Sequence, residues 1–105
     1  MSYKVVSIPP FDRQLKRLNK KYSSLKQEYE DLLDSLEKNP DQGTAIGNSC
    51  FKIRLSIESK GKGKRGGARV ITNFVVVEKT VFLLSIYDKA EKDDLTNREL
   101  GELLK

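Results

Sequence analysis

Residues 51–88 read FKIRLSIESKGKGKRGGARVITNFVVVEKTVFLLSIYD. The stretch opens as a strand, expected over about 50–57. Phe51, Ile53, Leu55 and Ile57 fall on one face, and Lys52, Arg54 and Ser56 on the other. It then breaks at Lys60 into Lys-Gly-Lys-Gly-Lys-Arg-Gly-Gly, a basic loop rich in glycine. From Ala68 to Val77 the chain is apolar on both faces, which predicts a central strand. Glu78 and Lys79 are a short enough break to form a hairpin with a third strand over 80–88.

Outward from this core the pattern changes period. Residues 3–8, YKVVSI, predict a strand closed by Pro9 and Pro10. Proline suits the first turn of a helix, where its missing N–H is not needed. A helix with Phe11, Leu15, Leu18 and Tyr22 on one stripe should follow, with Arg13, Lys16, Arg17 and Lys20 opposite. Ser24 with Gln27 fits a capping box, so a second helix carrying Leu25, Tyr29, Leu32, Leu33 and Leu36 should start there and stop at Asn39-Pro40. Residues 41–49 read as a turn-rich connection. A last helix should begin at Thr96, boxed by Glu99, with Leu100, Leu103 and Leu104 inward. The order is βααβββα. It predicts an α+β fold: a twisted antiparallel sheet packed by an N-terminal αα-hairpin, with a short C-terminal helix.

The length of 105 residues suits one domain over 1–105 with one core. The opening MSYKVVSIPP reads as a strand rather than a signal peptide, and no apolar run approaches membrane-spanning length. Cys50, a lone cysteine, cannot form an internal disulfide and fits a reducing cytoplasm. With no histidine and one cysteine, the composition argues against a zinc site and excludes Ser-His and Cys-His nucleophile systems. No cofactor is expected. Asp88, Glu91, Asp93 and Asp94 read as a solvated turn.

The net charge of +5 is local. Residues 52–69 hold seven Lys or Arg against one Glu, a net +6. An anionic partner should dock there, and a phosphate backbone is the usual one. Lys60, Lys62, Lys64 and Arg65 supply charge on a backbone loosened by Gly61, Gly63, Gly66 and Gly67. The spacing is neither a Walker A loop nor a dinucleotide fingerprint. Lys52 and Arg54 extend the charge onto a strand, roughly 6.5–7 Å apart. Arg69 begins the neighbouring strand, and Tyr87 and Lys89 end the third. Such a site suits cleavage of RNA by its own 2′-OH, which needs a base, an acid and charge stabilisation at phosphorus. Crowded cations favour deprotonation of a lysine, a route to the base, while arginine stays charged and clamps phosphoryl oxygens.

The segments CFKIRLSIESKGKGKRGGARVITNF and VFLLSIYDKAEKDDLT resemble the RelE/ParE superfamily of bacterial toxins, most of all the RelE and HigB branch. The resemblance spans the whole chain. It implies the toxin of a type II toxin–antitoxin pair: a ribosome-dependent endoribonuclease that cuts translated mRNA without a metal. It also implies a partner antitoxin that covers the basic site, and a cytoplasmic location with no membrane partner. By the same resemblance Lys52, Arg54, Arg69 and Lys89 are catalytic, with Arg69 at the transition-state arginine. Some members carry a catalytic tyrosine after the last strand. Leu95 falls near that place here, which leaves Tyr87 as the candidate. Two rivals stand beside this reading: a gyrase poison of the ParE type, and a catalytically silent nucleic-acid-binding module of the same fold.

Overall fold

The computed structural model describes residues 3–60, 66–92 and 94–104. Among them lie β1 (Lys4–Ser7), α1 (Pro9–Lys21), α2 (Leu25–Lys38), β2 (Thr44–Gly47), β3 (Cys50–Leu55), β4 (Ala68–Val75), β5 (Thr80–Asp88) and α3 (Asn97–Leu103). Short 3-10 turns occupy Glu58–Lys60 and Val76–Glu78.

The five strands are ordered β1-β5-β4-β3-β2. β4 is central, as its two-faced apolarity predicts, and its residues 68–72 are all buried. Two features go beyond the sequence expectation. First, β1 runs parallel to β5, so the sheet is mixed. A strand's apolar alternation is the same whichever way its neighbour runs, so direction was not legible from the pattern. Second, the 41–49 connection contains an edge strand, β2, paired to β3. Its residues are mostly exposed and show no apolar alternation. Backbone geometry makes it instead. Asn48 and Ser49 both have positive φ, at 54° and 60°, the form of a two-residue primed hairpin turn. Gly43 has φ of 100°, and a Cβ there would lie 2.6 Å from the Lys52 carbonyl oxygen. Only glycine lets the chain pass β3 so closely.

The sheet has two differently covered faces. On one, Ile53, Ala68, Val70, Val81, Leu83 and Ile86 pack with Phe11 and Leu18 of α1 and Leu25, Leu32 and Leu36 of α2. Both stripes follow the predicted helical spacing. Ser24 precedes α2 as expected, but its hydroxyl makes no cap bond to the helix backbone. It donates to Glu28 Oε1 at 3.2 Å and accepts from the Ser59 amide at 2.9 Å. The start of α2 is therefore stitched to the turn that opens the basic loop. On the other face, Cys50, Ile71, Leu84 and Tyr87 pack with Leu100 of α3.

A helix of seven residues does not persist in water by itself. α3 is held by two things. The capping box expected at Thr96 and Glu99 is present in both directions. Leu100 is also buried, a contribution of about 1.5–3 kcal/mol.

Candidate functional site

The second sheet face carries the candidate site, because register puts Arg54, Arg69 and Lys52 there. Arg54 of β3 pairs with Arg69 of β4, and Arg69 pairs with Tyr87 of β5. Directly opposed residues of antiparallel strands project to the same face, about 4.5–5.5 Å apart at Cα. Arg54, Arg69 and Tyr87 therefore form one row across three strands. Lys52, two residues before Arg54, shares that face. It pairs with Ile71, so it belongs to the adjoining row.

Burial grades along the row. Arg54 is exposed, whereas Arg69 is 5% exposed and Tyr87 also 5%. The Arg69 guanidinium donates from Nη1 to its neighbour's carbonyl, Ala68 O, at 3.1 Å. Packing on both sides by β3 and β5 thus holds this arginine in place at the centre of the sheet. A cleft of about 290 Å³ lies beside Lys52 and Arg54, bounded also by Gln42, Gly43 and Thr44. Another of about 360 Å³ opens on the far side of Tyr87, walled by Gln14, Ser85, Leu95 and Leu103.

One residue of the site went unrecognised in the sequence. The sequence reads Asp94 as part of a solvated turn. It instead reaches back over the sheet face from the segment before α3. Its Oδ1 accepts from the Tyr87 hydroxyl at 3.3 Å and from the Leu95 amide at 2.8 Å, and lies 3.6 Å from Lys52 Nζ. The Leu95 N–H holds the Asp94 carboxyl below the usual carboxylate range; burial opposes this, and Lys52 and Tyr87 add to the lowering. Tyr87 moves the other way. Burial, and then the neighbouring Asp94 charge, push its phenol up to about 12, and Arg69 only partly offsets this. Tyr87 is thus a hydrogen-bond donor through the neutral range. Tyr87 lies in a strand and Asp94 in an irregular segment beyond a turn, so no single strand or helix period links the pair.

Lys60 also departs from its expected role. The sequence groups it with Lys62, Lys64 and Arg65 in a loose phosphate-tracking loop. Its side chain is only 9% exposed, and its ammonium is ion-paired to Asp88, whose carboxylate is fully buried at the end of β5. The same carboxylate accepts from Tyr22 Oη at 2.5 Å and from the Ala90 amide at 2.9 Å, with Lys21 Nζ at 3.5 Å. Burial alone would raise this carboxyl. The Lys60, Tyr22 and Ala90 donors outweigh it and hold Asp88 well below the ordinary range. On the other side of the loop, the Lys89 amide donates to Gly67 O at 3.0 Å. Both ends of the loop are therefore fastened to the end of β5. Lys62, Lys64 and Arg65 lie outside the described residues. Lys89 is half-buried, two residues beyond Tyr87.

No family model matches the chain. The fold, however, recurs in solved toxins. A free-state E. coli RelE toxin carrying two arginine-to-alanine substitutions superposes with a TM-score of 0.63 and 19% identity, over 99% of this chain and 96% of that one. The same mutant toxin in complex with an antitoxin RelB peptide gives 0.59 and 18%, over 100% and 97%. The toxin–antitoxin complex RelBE from Mycobacterium tuberculosis gives 0.59 and 17%, over 84% and 99%. The sheet order, the αα-hairpin and the short terminal helix are thus those of the RelE fold, in agreement with the α+β expectation.

Proposed function

We propose that this chain is the toxin of a toxin–antitoxin pair and acts as a ribosome-dependent endoribonuclease on translated mRNA. The observation that carries this is the row Arg54–Arg69–Tyr87 with Lys52 beside it. Two arginines and a phenol on adjacent strands share one sheet face in a single register row. The shared fold with RelE toxins supports the same reading.

The reaction is a transesterification. The 2′-oxygen attacks phosphorus as its proton passes to water, the bond to the 5′-oxygen breaks, and that oxygen takes a proton from Tyr87 or solvent. Arg69, fixed in the central strand, is placed to hold the non-bridging oxygens as charge builds on them. Tyr87, protonated up to about 12, donates a hydrogen bond or a proton to the leaving oxygen and cannot serve as the base at neutral pH. Lys52 and Lys89 flank the row and add positive charge beside the phosphate. Arg54 meets the strand from its exposed side, and Lys62, Lys64 and Arg65 tether flanking phosphates. No metal enters this scheme.

Such a site lacks histidine and orders no substrate by itself. The ribosome would supply the near-attack geometry. An antitoxin that lays an acidic or amphipathic segment over the basic face would block it. Among the described residues no helix is long and apolar enough to cross a membrane, and the proposed target places the chain in the cytoplasm. The gyrase-poison reading needs no cluster of cations on the middle strands, and that cluster favours the nuclease.

The test is induction of the chain without antitoxin, with mapping of mRNA 5′ ends beside a gyrase supercoiling assay. Cuts within translated codons and unimpaired supercoiling are expected. Intact messages with inhibited gyrase would replace this reading by the rival. Growth without arrest while folded protein accumulates would remove the toxin reading altogether.

A further inference from the structure

We propose that Asp94 occupies, in the chain by itself, the position of an RNA phosphate oxygen, and that RNA binds by displacing it. The inference rests on the RNA-site reading above and adds a self-blocking contact to it.

The argument is geometric. Lys52 lies on β3 and Tyr87 on β5, with β4 between them. Their donor groups nevertheless meet at one atom, Asp94 Oδ1, at 3.6 Å and 3.3 Å. Two donors from strands on either side of β4 therefore converge on a single anion position above the central strand. That is the strand that carries Arg69. The anion now in that position is the chain's own carboxylate.

The hold on that carboxylate is loose. Both distances exceed those of strong charge-assisted bonds, about 2.7–2.9 Å. The Asp94 side chain is 64% exposed and belongs to no helix or strand. Exposed ion pairs of this kind contribute little. The shorter contact, to the Leu95 amide, is local and travels with the residue. A phosphate, with its charge spread over several oxygens, can engage Lys52, Tyr87 and the arginines together, which one carboxylate oxygen cannot do. Asp94 thus screens the site from weak anions and yields to a polyanion.

The test uses the full chain and a 2′-O-methyl RNA dodecamer, which cannot be cleaved, so binding is read without activity. Asp94→Asn removes the charge and keeps the shape. It should bind the dodecamer roughly two- to fivefold tighter, the range that loss of one exposed ion pair spans. In a Lys52→Met background the same change should have a smaller effect, since its cationic partner is gone. In the wild-type chain, the Leu95 amide resonance should shift on titration with the dodecamer as Asp94 leaves. This second readout needs no variant to fold. If wild type binds but Asp94→Asn binds equally or more weakly, Asp94 orders the site and the displacement inference falls alone. An unmoved Leu95 resonance at saturation overturns it as well. If neither wild type nor Asp94→Asn binds the dodecamer, the displacement inference falls, whereas failure of the RNA-site reading shows separately as intact messages on induction without antitoxin.

Discussion

Replacing Lys60 by methionine separates a structural lysine from an RNA-binding one. The substitution keeps most of the aliphatic stem and removes the ammonium. It leaves the Asp88 carboxylate, which has no solvent exposure, without its ion-paired donor from the loop. Removing one partner of a buried pair costs about 3–5 kcal/mol where nothing compensates. Here Tyr22 Oη at 2.5 Å and the Ala90 amide at 2.9 Å stay, and Lys21, half exposed at 3.5 Å, can draw nearer. We therefore expect a loss of about 2 kcal/mol, a large share of a small domain's stability. At about 5 °C per kcal/mol, Tm should fall by about 10 °C.

The loss depends on pH in a definite direction. Asp88 has a folded-state pKa below its unfolded value, so its contribution is fully present above about pH 4 and fades as pH falls through the folded value. Lys60→Met depresses that carboxyl less, so the gap between variant and wild type should narrow in acid. The assay is urea unfolding followed by circular dichroism at neutral pH and at several values below 4, beside RNA affinity at several salt concentrations. A stability cost under about 0.5 kcal/mol at neutral pH would refute the clamp. So would a salt slope flattened by a full unit with stability intact, since that is the signature of a phosphate contact.

Arg69→Ala should reduce single-turnover cleavage of ribosome-bound message on the order of a hundredfold to a thousandfold, with ribosome affinity little changed. Loss confined to affinity would move the transition-state role to Arg54 or Arg65. Tyr87→Phe keeps the buried ring and removes the donor, and cleavage should slow by about a hundredfold or more. The wild-type pH–rate profile should show no tyrosine limb between pH 7 and 10, because the phenol is pushed up to about 12, and such a limb would refute its role as a protonated donor. Gly43→Ala places a Cβ 2.6 Å from the Lys52 carbonyl oxygen at a φ of 100°. It should cost about 1–3 kcal/mol by chemical denaturation and lower cleavage by shifting Lys52, whereas unchanged stability would show that the loop relaxes.

Local chemistry determined the elements with a strong period or a stop signal. The stripes of Phe11 and Leu18, and of Leu25, Leu32 and Leu36, define two helices, with prolines at the start of one and Asn39-Pro40 at the end of the other. The two-sided apolarity of β4 predicts its central place, and Thr96 with Glu99 marks the last helix. These signals act over one turn or a few strand residues, so the chain alone carries them. The charge that concentrates over residues 52–69 likewise locates the basic surface without any coordinates. Tertiary structure alone decided the rest. The parallel pairing of β1 with β5 depends on how the helices return the chain, not on alternation. β2 exists because a glycine and two positive-φ residues let a short, mostly exposed stretch reach the sheet edge. The common row of Arg54, Arg69 and Tyr87 is a matter of register, which one residue of slip would destroy. Lys60 and Asp94 show the same limit from the side of charge. Composition counts a lysine as a tether and an aspartate as a solvated turn, but a side chain's role follows from which opposite charge packing brings within reach. For Lys60 that is a buried carboxylate 28 residues away, and for Asp94 a lysine 42 residues earlier in the chain.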